Sequence, residues 1–280
     1  MSKCILVIGG AGGVGSSVVD TLASRGDTVA ATVLEPAEVE SIHTRYGGAV
    51  KAHAVDLSNA AAALTKIKLV VDSMPALDAV AVCAAVAPVG PMELTPLSTF
   101  IKAYEINCVS TVSVYQATMP ALRKTGGRIV LLSSMAGRAA FPFMSAYTAT
   151  KFALEGLGDV MRREAGPQGV RVSIIEPGGI RTNLVRQQLI DLGPAYAALS
   201  DEDRELYGAL YQGYIKMAGD GLRDTASTPE QIAAVVVEAL DAPEPESRYV
   251  AGVDAKRYFE MSRAMSDRDV DEVFRQMLQT

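Results

Sequence analysis

Tyr147 and Lys151 stand four residues apart at the start of a helical stretch, a spacing that puts both side chains on one helix face. A free Tyr hydroxyl ionises near pH ~10 and is a poor acid or base at neutrality. A neighbouring ammonium favours the phenolate and lowers that value, as proton exchange with an alcohol or carbonyl oxygen requires. Ser134 lies 13 residues before Tyr147, just past the apolar run Ile129–Leu132. At the end of a strand in an open parallel sheet, that is the rim where ligands bind. A hydroxyl there can hold a substrate oxygen while Tyr147 exchanges the proton.

A second chemical feature opens the chain. The run Cys4–Ile8 leads into Gly9-Gly10-Ala11-Gly12-Gly13-Val14-Gly15 and then a helical stretch, Gly13–Ser24. Glycines let a strand turn sharply into a helix and approach phosphates without a Cβ in the way, and the helix N-terminus favours a pyrophosphate. Gly9-xxx-Gly13-x-Gly15 fits one dinucleotide fingerprint and Gly9-xx-Gly12-xx-Gly15 another; the spacing does not choose between them. The residue that reads the adenosine ribose falls at the end of the second strand, at Val33, Leu34 or Glu35. Glu35 would repel a 2′-phosphate, and the glycine turn holds no Lys or Arg. NAD is therefore expected in preference to NADP, although Glu35 is also readable as a solvated surface charge.

These groups need a scaffold, and the pattern supplies one. β-rich runs at Cys4–Ile8, Thr28–Leu34, Ala49–Val55, Ala79–Val86, Arg128–Leu132, Val170–Ile175 and Arg248–Ala251 alternate with helical stretches. The longest of these are Ser98–Lys124 and Ala146–Ala165; others are Ala37–Tyr46, Ala60–Asp72 and Pro229–Leu240. Strand-helix alternation with right-handed crossovers predicts an α/β fold: one Rossmann-type, doubly wound, parallel seven-stranded sheet with helices on both faces. With 280 residues, 49% hydrophobic and only 6% aromatic, the aliphatic content suits strands buried on both sides. A single domain over 1–280 is expected. Residues 1–180 would form the cofactor and catalytic core, 181–227 a lid insert, and 228–280 the last helix, strand and tail.

Other classes fit poorly. The net charge of −6 comes without a basic stripe, which argues against nucleic acid. The most apolar stretch, Ala79–Val89, is too short to span a bilayer. The N-terminus runs straight into the first strand, so no signal peptide is expected. Cys4, Cys83 and Cys108 have no CxxC spacing, and an odd number of thiols in apolar segments suits a reducing cytoplasm. The two histidines, His43 and His53, lack companions, so no metal site is expected.

The glycine turn, Asn107 within Glu105-Ile106-Asn107-Cys108, the Ser134, Tyr147 and Lys151 set, and Pro177-Gly178-Gly179-Ile180-Arg181-Thr182 occur in an order that resembles the short-chain dehydrogenase/reductase family. The likeness covers nearly the whole chain. Tyr147-Thr-Ala-Thr-Lys-Phe-Ala-Leu-Glu-Gly-Leu157 is similar to the retinol and hydroxysteroid dehydrogenase branches. The resemblance implies that Tyr147 is the acid/base, that Lys151 lowers its pKa and holds the nicotinamide ribose, and that Ser134 orients the substrate oxygen. It implies that Asn107 anchors a proton-relaying water, that Asp56 beside Leu57 bonds the adenine, and that Thr182 holds the carboxamide. Pro177, Gly178 and Ile180 would then pass close to the nicotinamide. Structural alternatives stay open: Asn107 bonded to backbone, Asp56 as a cap for the helix after Ser58, Thr182 as an N-cap. The chain departs from the family in two places. Val82-Cys83-Ala84-Ala85 stands where Asn-Asn-Ala-Gly is usual, with Ala84 and Ala85 at cofactor-facing positions, and Ile8 replaces a Thr before the glycines. A homodimer or homotetramer through the two long helices is implied as well.

Phe141, Pro142, Phe143 and Met144 fall between Ser134 and Tyr147, where they either line a pocket or pack in the core, and Leu184 and Val185 begin the insert. Phe141, Phe143, Leu184 and Val185 together with Ser134 are therefore the expected substrate contacts, for a small hydrophobic alcohol or ketone. The function expected is hydride transfer between NAD or NADP and that substrate. The competing readings are a non-catalytic NAD(P)-binding regulator, motivated by Val82–Ala85, and an NAD-dependent epimerase or dehydratase.

Overall fold

The computed structural model describes residues 2–278. The strands are β1 (Cys4–Ile8), β2 (Thr28–Val33), β3 (Val50–Ala54), β4 (Ala79–Val82), β5 (Arg128–Leu132), β6 (Arg171–Pro177) and β7 (Arg248–Ala251). The helices α1 (Gly13–Ser24), α2 (Pro36–Tyr46), α3 (Ala60–Asp72), α4 (Leu97–Tyr104), α5 (Ser110–Thr125) and α6 (Ser145–Ala165) follow in chain order. After them come α7 (Asn183–Ala197), α8 (Asp201–Asp224), α9 (Pro229–Asp241), α10 (Val253–Ser262) and α11 (Asp267–Leu278). All seven strands join one parallel sheet in the order β3-β2-β1-β4-β5-β6-β7. The sheet is the doubly wound one that the alternating pattern predicts.

Alternate residues of each strand feed opposite layers. Leu6 and Ile8 of β1, Val80 and Val82 of β4 and Ile129 and Leu131 of β5 pack with α3, α5 and α6. Ile5, Val7, Ala79, Ala81 and Val130 pack with α1, α2 and α9 on the other face. Both faces of these strands are dry, so the runs read as continuously apolar rather than alternating. The strand order reverses between β1 and β4, which opens a crevice at their C-terminal ends.

Local chemistry sets the boundaries. Glu35 and Glu38 form a capping box with Pro36 at the first turn of α2, and Gly47, at φ 56°, ends that helix. β4 stops at Val82 rather than Val86, because the N–H groups of Cys83 and Ala84 both turn to the carbonyl of Ile8. The long helix expected over Ser98–Lys124 is broken. Residues Glu105–Val109 form a π-helical turn between α4 and α5. The hydroxyls of Ser110 and Thr111 donate back to the carbonyls of Ile106 and Asn107, a pattern that loosens a helical ladder.

The insert is more regular than its sequence pattern indicates. It folds into α7 and α8, which share a third core with Phe143, Leu192, Tyr211, Tyr214 and Leu278. α8 lies against α11 so closely that a Cβ on Gly213 would fall 1.9 Å from the Leu278 carbonyl oxygen. Phe143 is left-handed, with φ 67°, a strain of roughly 1–2 kcal/mol. Its ring stacks on Tyr214 at 4.9 Å and meets Tyr211 edge-on at 4.8 Å. Two such pairs, at about 0.5–1.5 kcal/mol each beyond the area buried, offset that strain.

Candidate active site

The residues singled out in the sequence gather at the C-terminal ends of β1, β4, β5 and β6. The glycine turn leaves β1. Gly9 has φ 84°, and a Cβ there would sit 2.8 Å from Ala84. A Cβ on Gly15 would sit 2.0 Å from the Gly9 carbonyl oxygen, and one on Gly13 would sit 2.7 Å from the Thr182 side chain. At Gly12 the nearest atom is 3.4 Å away. Close approaches therefore fall on Gly9, Gly13 and Gly15, and on Gly10 against Ala31 at 2.7 Å, but not on Gly12, which fits the first of the two spacings. α1 starts from Gly12 with no side-chain cap and no acid in its first turn. Its N-terminal N–H groups thus face the turn that Ala11, Gly12 and Val14 complete, with no carboxylate competing for them.

At the end of β2, Val33 is buried and Leu34 is 57% exposed. The Leu34 and Glu35 N–H groups donate to Glu38 Oε2 at 2.9 Å each. Glu35 is thus a helix-capping residue as well as an exposed charge. Asp56 is exposed, and its carboxylate accepts from the Ser58 N–H at 2.8 Å and the Ser58 hydroxyl at 2.9 Å, which holds its pKa below the usual carboxylate range. It does not cap α3; Asn59 does that, accepting from Ala62 N–H. Leu57, next to it, is buried.

α6 carries Tyr147 and Lys151 on one face, as the spacing predicts. Lys151 is almost fully buried, its ammonium donates to the Leu132 carbonyl at 2.8 Å, and it lies 5.6 Å from the centre of the Tyr147 ring. Loss of hydration brings the Lys151 pKa down to about 8. Burial pushes the Tyr147 phenol up, and Ser134 beside it acts in the opposite direction. Ser134 also caps the short turn Met135–Gly137, accepting from Ala136 N–H at 3.1 Å. Burial therefore dominates the phenol here, rather than the neighbouring ammonium from which the sequence reading began.

Asn107 sits in the π-helical turn, fully buried, with its amide engaged by protein. It accepts from Val86 N–H at 2.9 Å and donates to the Val86 carbonyl at 2.8 Å and to Thr150 Oγ1 at 2.9 Å. It ties the loop after β4 to α6, the backbone-bonded alternative left open above. Cys108 supports the same contact by donating from Sγ to the Thr150 carbonyl. Burial raises the thiol of Cys83 to about 12 and that of Cys108 to about 11, so both are neutral neighbours of Lys151. Thr150 is a site residue the sequence reading missed; its only signal is its place between Tyr147 and Lys151.

Thr182 N-caps α7, accepting from Val185 N–H at 3.3 Å. The loop Pro177–Thr182 is thereby set against Gly13 of the glycine turn. Among the expected substrate residues, Leu184 and Val185 stand at the start of α7, Leu184 exposed and Val185 half-buried. Phe143 packs on Tyr211 and Tyr214 and, with Pro142, Met92 and Leu210, also borders a cleft, whereas Phe141 packs on Tyr258 and Phe274 of α10 and α11 at 5.6 and 5.4 Å. Behind α6, Arg248 joins Glu155, Asp159 and Glu176, and Arg138 joins Glu176. This network fixes α6 to β6 and β7; it joins Glu155 and Asp159 of α6 to residues far away in the chain and carried no sequence signal.

Comparison with known proteins gives consistent relatives. The family described as short chain dehydrogenase matches residues 3–192. A 3-amino-tetrahydro-pyrrolizinone reductase of Xenorhabdus hominickii is 28% identical over 275 residues, 97% of this chain and 94% of that protein. Human 17-beta-hydroxysteroid dehydrogenase type 6 is 27% identical over 263 residues, 92% of this chain and 83% of that one. Among solved structures, a short-chain dehydrogenase from Streptomyces avermitilis superposes with a TM-score of 0.74 at 26% identity, covering 94% of each chain. One from Burkholderia cenocepacia, solved in complex with NADP, has the same fold with a TM-score of 0.73 at 20% identity, covering 97% of each chain.

The buried ammonium has a measurable consequence. With a pKa of about 8 folded against 10.5 unfolded, Lys151 binds fewer protons in the native state between those two values. Stability of the wild type therefore rises with pH across that window, by on the order of 3 kcal/mol in total. Lys151→Met lacks this term. The stability difference between the two proteins, measured by urea unfolding from pH 7 to 10.5, should shift toward the wild type as pH rises. A constant difference would contradict the assigned environment.

Proposed function

The chain belongs to the short-chain dehydrogenase family, and on that footing we propose that it is an NAD(P)-dependent oxidoreductase moving hydride between the nicotinamide and a hydrophobic secondary alcohol or ketone. The observation that carries this reading is the convergence of Ser134, Tyr147 and a desolvated Lys151 at one strand-end crevice beside a glycine turn without room for side chains.

The residues present fit a dinucleotide. The uncapped start of α1 and the bare turn Gly9–Gly15 would hold the pyrophosphate. Val33, Leu34 and Glu35 would border the adenosine ribose, Asp56 and Leu57 the adenine, and Ala84 and Ala85 the nicotinamide ribose. Pro177, Gly178, Ile180 and Thr182 would border the nicotinamide. The bound cofactor supplies the hydride acceptor or donor. In the oxidising direction Tyr147 Oη takes the proton of the substrate hydroxyl, and Ser134 Oγ holds the same oxygen. Lys151, as a cation, stabilises the phenolate form of Tyr147 and donates toward the ribose. In the reducing direction Tyr147 returns the proton to the carbonyl oxygen. Asn107 keeps the loop after β4 and the helix carrying Tyr147 in register.

NAD is preferred over NADP in this reading, because the Glu35 and Glu38 carboxylates occupy the end of β2 and a 2′-phosphate there would meet negative charge. The NADP in the Burkholderia structure belongs to a protein 20% identical to this one and informs the fold. An apolar substrate is supported by Leu184 and Val185 at the start of α7 and by the mainly apolar cleft that Phe143 borders with Pro142 and Leu210. A homo-oligomer through α4 and α6 is supported by Leu97, Ile101, Phe152 and Val160, large apolar residues left exposed there.

Three outcomes test these proposals. Tyr147→Phe should lower turnover of hydrophobic alcohols with NAD by roughly a hundredfold or more while leaving the circular dichroism spectrum intact; unchanged turnover would remove Tyr147 from the chemistry. The wild type should favour NAD over NADP in kcat/KM, and Leu34→Arg should move that ratio toward NADP by about tenfold, since one charge-assisted contact to phosphate is worth about 1.4 kcal/mol or more. In sedimentation, Ile101→Asp should shift an oligomeric wild type toward monomer; a monomeric wild type would refute the proposed interface.

A further inference from the structure

The loop Pro177–Thr182 is gripped from two sides. On one, Ser227 N–H donates to the Gly179 carbonyl and Arg181 N–H donates to the Ser227 carbonyl, both at 2.9 Å. On the other, Asp254 at the start of α10 reaches back across the end of β7. Its Oδ2 accepts from Gly179 N–H at 2.6 Å, and its Oδ1 accepts from Ala255 N–H at 2.9 Å. The carboxylate fills the space a side chain would need at three glycines. A Cβ would lie 2.0 Å from Oδ1 at Gly178, 2.7 Å from Oδ1 at Gly252 and 3.4 Å from Oδ2 at Gly179. Gly252 adopts φ 98°, a conformation that brings the chain round beneath the loop and that other residues resist.

We propose that Asp254 is a positioning residue for the nicotinamide end of the cofactor. It acts through the Gly178–Gly179 peptide and does not itself touch the reacting atoms. This inference rests on the dehydrogenase reading above. The physical argument is one of alternatives. An Asp in the first turn of a helix can satisfy that helix's own N–H groups with both oxygens. Here one oxygen is committed to Gly179, 75 residues away in the chain. A hydrogen bond to a charged acceptor is stronger than a neutral one, and it fixes which way the 178–179 peptide faces. The loop continues through Ile180 to Thr182, whose side chain abuts Gly13. Fixing one end of the loop therefore orients the backbone between the catalytic residues and the glycine turn. The adenosine end of the cleft, at Leu34, Glu35 and Asp56, has no contact with Asp254.

That asymmetry gives the test. Dissociation constants for NADH, read from nicotinamide fluorescence, and for ADP-ribose, which lacks the nicotinamide, are measured for the wild type, Asp254→Ala, Asp254→Ser and Asp254→Asn. Tm is recorded for each. Asp254→Ser keeps a helix-capping hydroxyl too short to reach Gly179, and so serves if the alanine variant does not fold. Loss of one charge-assisted hydrogen bond should weaken NADH binding by about tenfold in the Ala and Ser variants and leave ADP-ribose within about twofold. Asp254→Asn retains an accepting oxygen and should restore NADH affinity to within about threefold. Equal weakening of both ligands, or a fall in Tm with NADH affinity unchanged, would overturn the proposal and leave Asp254 a tie within the fold. Failure of the wild type itself to bind NADH would instead overturn the dehydrogenase reading.

Discussion

A single buried ammonium organises the centre of this protein. Lys151 has lost nearly all its water, and the carbonyl of Leu132 at the end of β5 replaces part of it. An unpaired charge in such surroundings is costly, and a group held there shifts its pKa toward the neutral form. Glu155, one helical turn further along α6, favours the charged form, and the two neutral thiols Cys83 and Cys108 stand nearby. The fold tolerates the arrangement because α6 is anchored independently. Leu154 and Met161 pack into the sheet, and Glu155 and Asp159 bond Arg248. A charged group kept in an unfavourable environment by its neighbours has its pKa displaced at a cost in stability that the surrounding packing must offset.

The same carbonyl rim explains why the departures from the family pattern are compatible with the site. Where Asn-Asn-Ala-Gly is usual, Val82 closes β4 within the core and Cys83 and Ala84 bond the Ile8 carbonyl through their backbones. The bracing that a side-chain amide would provide comes from main chain and from Asn107, which clasps Val86 on both its N–H and its carbonyl. Ala84 approaches Gly9 closely, and the absence of a Cβ at Gly9 is what admits it.

The insert α7–α8 is joined to the loop after β5 by aromatic packing. Phe143 leaves the Ser134 loop in a left-handed conformation and is held between Tyr211 and Tyr214 of α8. Tyr207 of α8 bonds Glu93, and Gln188 of α7 bonds the Ala87 carbonyl. The segments after β4 and β5 are thus the ones that α7 and α8 grip. Motion of α7 and α8 would be felt at the strand ends that present the substrate oxygen contacts.

Much of this was legible in the chain. The apolar runs located the central strands because a strand dry on both faces must be apolar throughout, and β1 and β5 begin and end where those runs do. Tyr147 and Lys151 were legible because helical spacing alone places them on one face. The spacing of the glycines was not enough to choose a fingerprint; only the 2.0 Å approach of Gly15 to the Gly9 carbonyl and the contact of Gly13 with Thr182 did so. The surroundings of Phe141 and Phe143 were not legible, because sequence position records nearness to Ser134 and not the direction of a ring. The Arg248 cluster and the hold of Asp254 on Gly179 were invisible for a related reason. Each depends on groups tens of residues apart meeting across elements. Local pattern determined which segments form and that Tyr147 and Lys151 share a helix face; long-range packing decided what surrounds that pair, because burial and hydrogen-bond partners are set by neighbours the chain brings together only on folding.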